Sequence, residues 1–356
     1  MPRRPARKRS GIFMPAAIAL VCAALLLAGH RMGGDAQVDA LLDAIAKNRT
    51  FITSSIALET GLTVPASDAL ADDTPQAEAS TWVAAESAPP PASTAEGTAA
   101  ADTSTDSLPT AQDKRDTDIS VRNDAGLAVD VDAMLADPIE IHATGEGPQV
   151  LIYHTHSTEA YTPDGSDTYT PSGDYRTRDK NQNVVRIGTE LTKVLEARGI
   201  GIVHITDIFD DPAYNGSYGR SLAAAEQALA EHPEIQVTID LHRDAILTDD
   251  GQQYRLATTL GGVDVAQLML VIGTDASGLE HPNWEQNMNF AVNLQADLNG
   301  AYPGLMRDVN LRAQRFNTHL RPGSILLECG ASGNTLAEAI RAVQLFGNVL
   351  ADRLLA

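Results

Sequence analysis

A chain of 356 residues is long enough for one or two hydrophobic cores, yet aromatics make up only 4%, so part of it is not expected to pack. A net charge of −21 excludes nucleic acid as a partner, since its phosphates would be repelled. Two cysteines in unlike contexts, Cys22 and Cys329, exclude a disulfide framework and a cysteine-built zinc site.

Residues 1–35 read as a basic tail and a membrane anchor. Arg3, Arg4, Arg7, Lys8 and Arg9 precede an uncharged run from Ile12 to Gly29, long enough to cross a bilayer as a helix. The basic flank stays in the cytoplasm, which makes this a single-pass protein of the cell membrane with its remainder outside the cytoplasm. A cleaved signal peptide is the alternative reading. Over 36–63, Val38, Leu41, Leu42 and Ile45 space a short juxtamembrane helix.

Residues 64–147 change character. Seventeen acids stand against Lys114, Arg115 and Arg122, about −14 by subtraction (17 − 3), with a single aromatic, Trp82. Such a stretch buries too little apolar surface to offset its ordering entropy, so an acidic, disordered linker is expected, with 133–141 beginning to dock on the C-terminal domain.

From Pro148 to Ala356 apolar runs alternate with helical patterns. Strands are expected at Val150–Tyr153, Ile200–Ile205, Ile235–Leu241, Leu268–Ile272 and Ser324–Cys329, with an edge strand at Tyr254–Leu260. Helical spacing runs from Asn183 to Arg198, from Ser221 to His232, and along Trp284, Met288, Ala291, Leu294 and Leu298. Thr335 and Glu338 form a capping box opening a last helix. The alternation implies an α/β fold: a doubly wound, mostly parallel sheet with helices on both faces.

Three strands end in groups that can do chemistry. The first runs into His154 and His156, with Glu159 one turn on; the second ends in His242; the third ends in Glu328. The carboxyl ends of strands are where open α/β sheets collect ligands. Imidazole and carboxylate are the donors of catalytic zinc, which takes three protein groups and keeps one position open. A lone histidine at a strand end is usually structural, but three such ends together point to a metal hydrolase. In extended chain His154 and His156 would share a face. Glu328 closes a buried run, which is costly for a carboxylate without a partner or a role; it suits a metal ligand or a general base and acid. By the same alternation Cys329 faces away from Glu328 and reads as an inert core thiol. Arg243 suits an acidic substrate group, and the loops 281–287 and 316–320, with Asn317 and His319, suit the walls of a groove.

The motifs Tyr153-His-Thr-His156-Ser-Thr-Glu159-Ala-Tyr161, Tyr214-Asn-Gly-Ser-Tyr218, Ile239-Asp-Leu-His-Arg-Asp244, His281-Pro-Asn-Trp-Glu-Gln-Asn287 and Leu327-Glu-Cys-Gly330 with Asn334-Thr335 resemble stage II sporulation protein P across 148–356. The resemblance implies a membrane-anchored peptidoglycan hydrolase of engulfment during sporulation. It implies N-acetylmuramoyl-L-alanine amidase activity, with endopeptidase activity also attributed, and partners in stage II sporulation proteins D and M. The domain is more distantly similar to zinc-dependent cell-wall amidases. That similarity implies Zn2+ held by His156 (His154 the alternate) and His242, with Glu328 as the catalytic acid and base. Those amidases carry a glutamate ligand at the start of the next helix, where this chain has Lys180, Asn181 and Asn183; Glu159 is assigned instead for its proximity. Arg243, Asn317 and His319 are expected to bind substrate. A non-catalytic wall-binding scaffold and a thiol hydrolase built on Cys329 are the alternatives.

Overall fold

Short β-branched runs bounded by glycine and polar turns become strands, and the amphipathic stretches between them become helices. The computed structural model describes residues 108–165, 169–172, 175–248 and 251–356. In chain order the elements are β1 (Val121–Asn123), α1 (Val131–Ala136), β2 (Pro148–Tyr153), α2 (Val184–Ala197), β3 (Gly201–His204), α3 (Ser217–Glu231) and β4 (Val237–Asp244). They continue with β5 (Ala257–Leu260), β6 (Val263–Ala266), β7 (Leu268–Gly273), α4 (Trp284–Ala301), β8 (Val309–Arg312), β9 (Ser324–Ala331) and α5 (Leu336–Leu355).

Seven strands form one sheet in the order β1-β8-β7-β9-β4-β2-β3. All neighbours are parallel except β7 and β9, which run antiparallel. The expected mostly parallel α/β sheet is therefore present, but it is two parallel blocks joined back to back. Because β2, β4 and β9 belong to one block, their carboxyl ends fall on the same edge, and that edge holds the candidate site.

Alternation along the strands divides two unequal layers. Val150, Ile152, Ile239, Leu241, Leu327 and Cys329 enter the main core with residues of α2, α4 and α5. Leu151 and Tyr153 face the other way, against Ala225, Ala228 and Leu229 of α3. Asn183 caps α2 by accepting from Val185 N at 3.0 Å, and Thr335 with Glu338 closes the expected capping box on α5.

Two expectations need revision. Residues Ala257–Leu260 do not extend the sheet; they pair with β6 in a separate antiparallel ribbon, since β7 lies between β8 and β9 and leaves no edge there. The acidic segment expected to stay disordered through 147 is built into the fold from Leu108. β1 pairs with β8, and Leu108, Ile119, Leu127, Val129, Met134 and Ile139 pack on the main core. Along this strap Gln112 N and Asp116 N donate to the carbonyls of Ala301 and Ala296. Gly300 of α4 permits the approach, because a Cβ there would sit 2.1 Å from the carbonyl oxygen of Lys114. The expected anchor and juxtamembrane helix lie outside the described residues, among which no helix is long and apolar enough to cross a membrane.

Candidate active site at the ends of three parallel strands

β2 ends at Tyr153, and the turn after it separates the two histidines that an extended chain would have aligned. His154 turns back into the protein. Its Nδ1 lies 2.9 Å from the carbonyl of Leu241 and its Nε2 lies 2.9 Å from His204 Nε2. Burial, with His204 adding to it, holds its pKa well below the usual imidazole value. His156 instead stands toward β4, its ring centroid 5.2 Å from that of His242. Tyr214 stacks on it at 4.4 Å, with the phenol oxygen 3.0 Å from Nε2, and Ser217 Oγ lies 3.4 Å from Nδ1. Burial pushes the His156 pKa down to about 3, against the opposing pull of Glu159.

Glu159 is drawn into the same cluster. Its Oε2 is 3.3 Å from His242 Nδ1 and accepts from the backbone N–H of Arg243 at 3.2 Å, while Arg176 Nη2 stands 3.5 Å from Oε1. Burial would raise its pKa, but His242 and the two arginines outweigh that and hold the carboxyl below the usual range. Its own carbonyl accepts from Val184 N at 2.8 Å. Glu159 therefore adjoins the start of α2, although 25 positions of sequence number separate 159 from 184.

His242 lies between two carboxylates. Glu159 stands at Nδ1, and Asp240 Oδ1 stands 2.9 Å from Nε2. Burial disfavours its charge, yet Asp240 and Glu159 together raise its pKa well above the usual imidazole value. The Asp240 contact is close but out of line, so Nε2 makes no formed hydrogen bond. Glu328 sits directly opposite His242 in the β4–β9 register, on the same sheet face. Its Oε2 is buried with no hydrogen-bond partner. Burial, reinforced by Asp244, raises its pKa to about 8; Arg307 pairs with that Asp244 at 2.8 Å. A carboxyl that keeps its proton near neutrality opposite His242 can both give and take a proton.

Two of the residues expected to bind substrate, Arg243 and Asn317, are occupied within the protein, while His319 keeps its ring Nδ1 without a hydrogen bond. Arg243 is buried; its Nε donates to Ala160 O at 2.9 Å and its Nη2 to Tyr175 O at 3.1 Å, which clamps the loop after Glu159. Asn317 is buried and donates to Tyr218 O and Ser221 Oγ. The His319 ring lies 6.3 Å from that of His281, and its carbonyl accepts from Asn283. Cys329 is buried on the opposite face, its thiol 3.4 Å from Ala339 O and pushed up to about 12 by burial. Four contributors carry no site role in the sequence alone: Asp240, Arg176, Asp210 and Tyr214, although Asp240 and Tyr214 lie in the motifs. Arg176 bridges Glu159 and Asp210, and its guanidinium lies 5.0 Å from the centre of the Tyr214 ring. Asp240 was legible, being a carboxylate inside an apolar strand two residues before a histidine.

Donor chemistry here suits zinc. Two imidazoles and a carboxylate gather beside Glu328, whose Oε2 is buried without a hydrogen bond. Their present arrangement is a different matter: among the described residues, no three His, Cys, Asp or Glu side chains converge as a metal centre would require. Glu159 and His242 face each other directly as an ion pair.

Fold and cluster together define an α/β protein with a histidine–carboxylate centre at the ends of parallel strands. The sequence model of stage II sporulation protein P matches residues 66–351, and the chain belongs to that family. It is 30% identical over 220 residues to stage II sporulation protein P of Bacillus subtilis (strain 168), covering 59% of this chain and 52% of that one. The chain thus spans about half the length of the curated relative it matches. Among solved structures, it is similar to an N-acetylmuramoyl-L-alanine amidase from Clostridium difficile 630, at 14% identity, 58% and 97% coverage and a TM-score of 0.32. It is likewise similar to the catalytic domain of the amidase CwlV from Bacillus (Paenibacillus) polymyxa var. colistinus, at 13% identity, 58% and 98% coverage and a TM-score of 0.31. At those scores the likenesses are loose, and no residue role is carried over from them.

Proposed function

We propose that this chain is a membrane-anchored peptidoglycan hydrolase of sporulation: a zinc-dependent N-acetylmuramoyl-L-alanine amidase that also cleaves within stem peptides. Family membership supports the sporulation setting and the wall substrate. The carrying observation is Glu328, a half-buried side chain in register with His242 whose Oε2 is buried and left unbonded. In this reading His156, Glu159 and His242 hold the zinc. Zinc, when bound, supplies a Lewis acid that polarises the amide carbonyl and brings the pKa of water from about 15.7 to about 7. Glu328 Oε2 accepts a proton from the attacking water and returns it to the departing amine. Tyr214, stacked on His156, shields one side of the site from bulk water. The uncharged run from Ile12 to Gly29 supports a single-pass anchor with the domain outside the cytoplasm. Stage II sporulation proteins D and M are proposed as partners on the family resemblance.

The test is release of stem peptides from purified sacculi by the full chain, with zinc content measured alongside. Glu328→Gln is expected to lower turnover about 10²–10⁴-fold while leaving zinc in place. His242→Ala is expected to lose both. Full activity in either variant sinks the mechanism. The direct Glu159–His242 ion pair favours a second reading, a wall-binding scaffold without catalysis. It predicts sacculus binding by a protein that takes up no zinc.

A further inference from the structure

Asp240 lies on β4 two residues before His242, so both side chains leave the same face of the sheet. It is only 1% exposed, and every contact it makes concerns the site. Oδ1 accepts from the backbone N–H of Thr155 at 2.8 Å, and Oδ2 accepts from Thr155 Oγ1 at 2.7 Å. Thr155 immediately precedes His156, so one carboxylate ties the turn bearing His156 to the strand bearing His242. The Thr155 hydroxyl in turn meets Ser221 Oγ at 2.7 Å, and Asn317 donates to that same oxygen at 3.0 Å. Through Thr155 the network links Asp240 to α3 and to the loop bearing Asn317. The same Oδ1 stands 2.9 Å from His242 Nε2, while the opposite nitrogen, Nδ1, faces Glu159.

An imidazole that binds a metal through one nitrogen offers the other as an N–H, and a fixed carboxylate there sets both the tautomer and the ring angle. Here, among the described residues, Asp240 is placed to receive that proton, its Oδ1 2.9 Å from Nε2. We propose that Asp240 is a positioning residue: it accepts a hydrogen bond from His242 Nε2 and so turns Nδ1 toward Glu159 and His156 as the coordinating atom. The inference rests on the zinc reading above and names which nitrogen of His242 that reading must use. Asp240 touches neither metal nor substrate. Its effect reaches the site through His242 on one side and Thr155 on the other.

The experiment measures zinc affinity of the full chain by competition with a chelator, for wild type, Asp240→Asn, Asp240→Glu and His242→Ala. It adds magnetic-resonance spectra of nitrogen-labelled histidine with an NMR-active cadmium isotope as the probe metal. Asp240→Asn, nearly isosteric, is expected to weaken zinc about 10–100-fold while the metal-free protein keeps its fold by circular dichroism. Asp240→Glu is expected to recover part of the loss, and cadmium is expected to couple to Nδ1 of His242. If wild type binds zinc and Asp240→Asn binds it equally well, or if the coupling runs through Nε2, the positioning role is overturned and the zinc reading stands. Wild-type protein that takes up no zinc overturns the zinc reading itself.

Discussion

Replacing Gly188 by alanine sets two opposing effects against each other. Gly188 lies in the second turn of α2, where alanine is intrinsically better than glycine by about 1 kcal/mol. Against this stands the pair formed by buried His154 and half-buried His204. A Cβ on Gly188 would lie 2.6 Å from both His154 Nε2 and His204 Nε2. Both atoms belong to rings fixed elsewhere, His154 by its Nδ1–H donating to Leu241 O and His204 by its place on β3. Making room separates the rings and breaks their 2.9 Å contact. Overpacking a core costs about 1–3 kcal/mol, and the lost neutral hydrogen bond about 0.5–1.5 kcal/mol more. The clash outweighs the helix gain, and a net loss of about 1–3 kcal/mol is expected. Urea unfolding of the full chain at neutral pH, followed by circular dichroism, reads this as a lower midpoint at unchanged slope. A midpoint that rises by the helix increment would refute the reasoning, showing that the two rings yield freely.

The same pair makes stability depend on pH. Burial lowers the His204 pKa from 6.5 to about 4, so protons bind the unfolded chain first. Its contribution is full above about pH 6.5 and is lost as pH falls toward about 4; roughly 2 kcal/mol should be gone by about pH 5. Unfolding midpoints across that range check this, and His204→Gln should flatten the dependence. Cys329→Ser is expected to keep full turnover on sacculi, because the thiol is buried on the face away from Glu328. Loss of activity in that variant, without loss of fold, would revive the thiol hydrolase.

The strand ends were readable because each combines a short β-branched run with an abrupt polar residue, and both periods are local. Glu328 and Cys329 were correctly assigned to opposite faces for the same reason. Other features depend on partners distant in sequence. β1 is three residues of an acidic stretch, VRN, and becomes a strand only because β8 offers an edge. Strand direction leaves no local trace, so the β7–β9 reversal was invisible. Arg243 and Asn317 looked free to bind substrate because a sequence does not show which backbone carbonyls will claim their donors. His154 was misaligned with His156 because the strand stops one residue earlier than extended alternation assumes.

The strap from Leu108 to Gly147 changes where the folding unit begins. Ala143 N donates to Leu354 O at 2.7 Å, satisfying a carbonyl in the last turn of α5, and Ile139 N donates to Asn289 of α4 at 2.8 Å. A chain begun at Pro148 would keep every residue of the candidate site and still lack one layer of its support. The α4 surface beneath Met134 and Ile139 would be open to water, and β8 would present a bare edge of the kind that recruits other chains. An autonomous form of the protein therefore reaches back at least to Leu108, some forty residues ahead of the first strand that carries its chemistry.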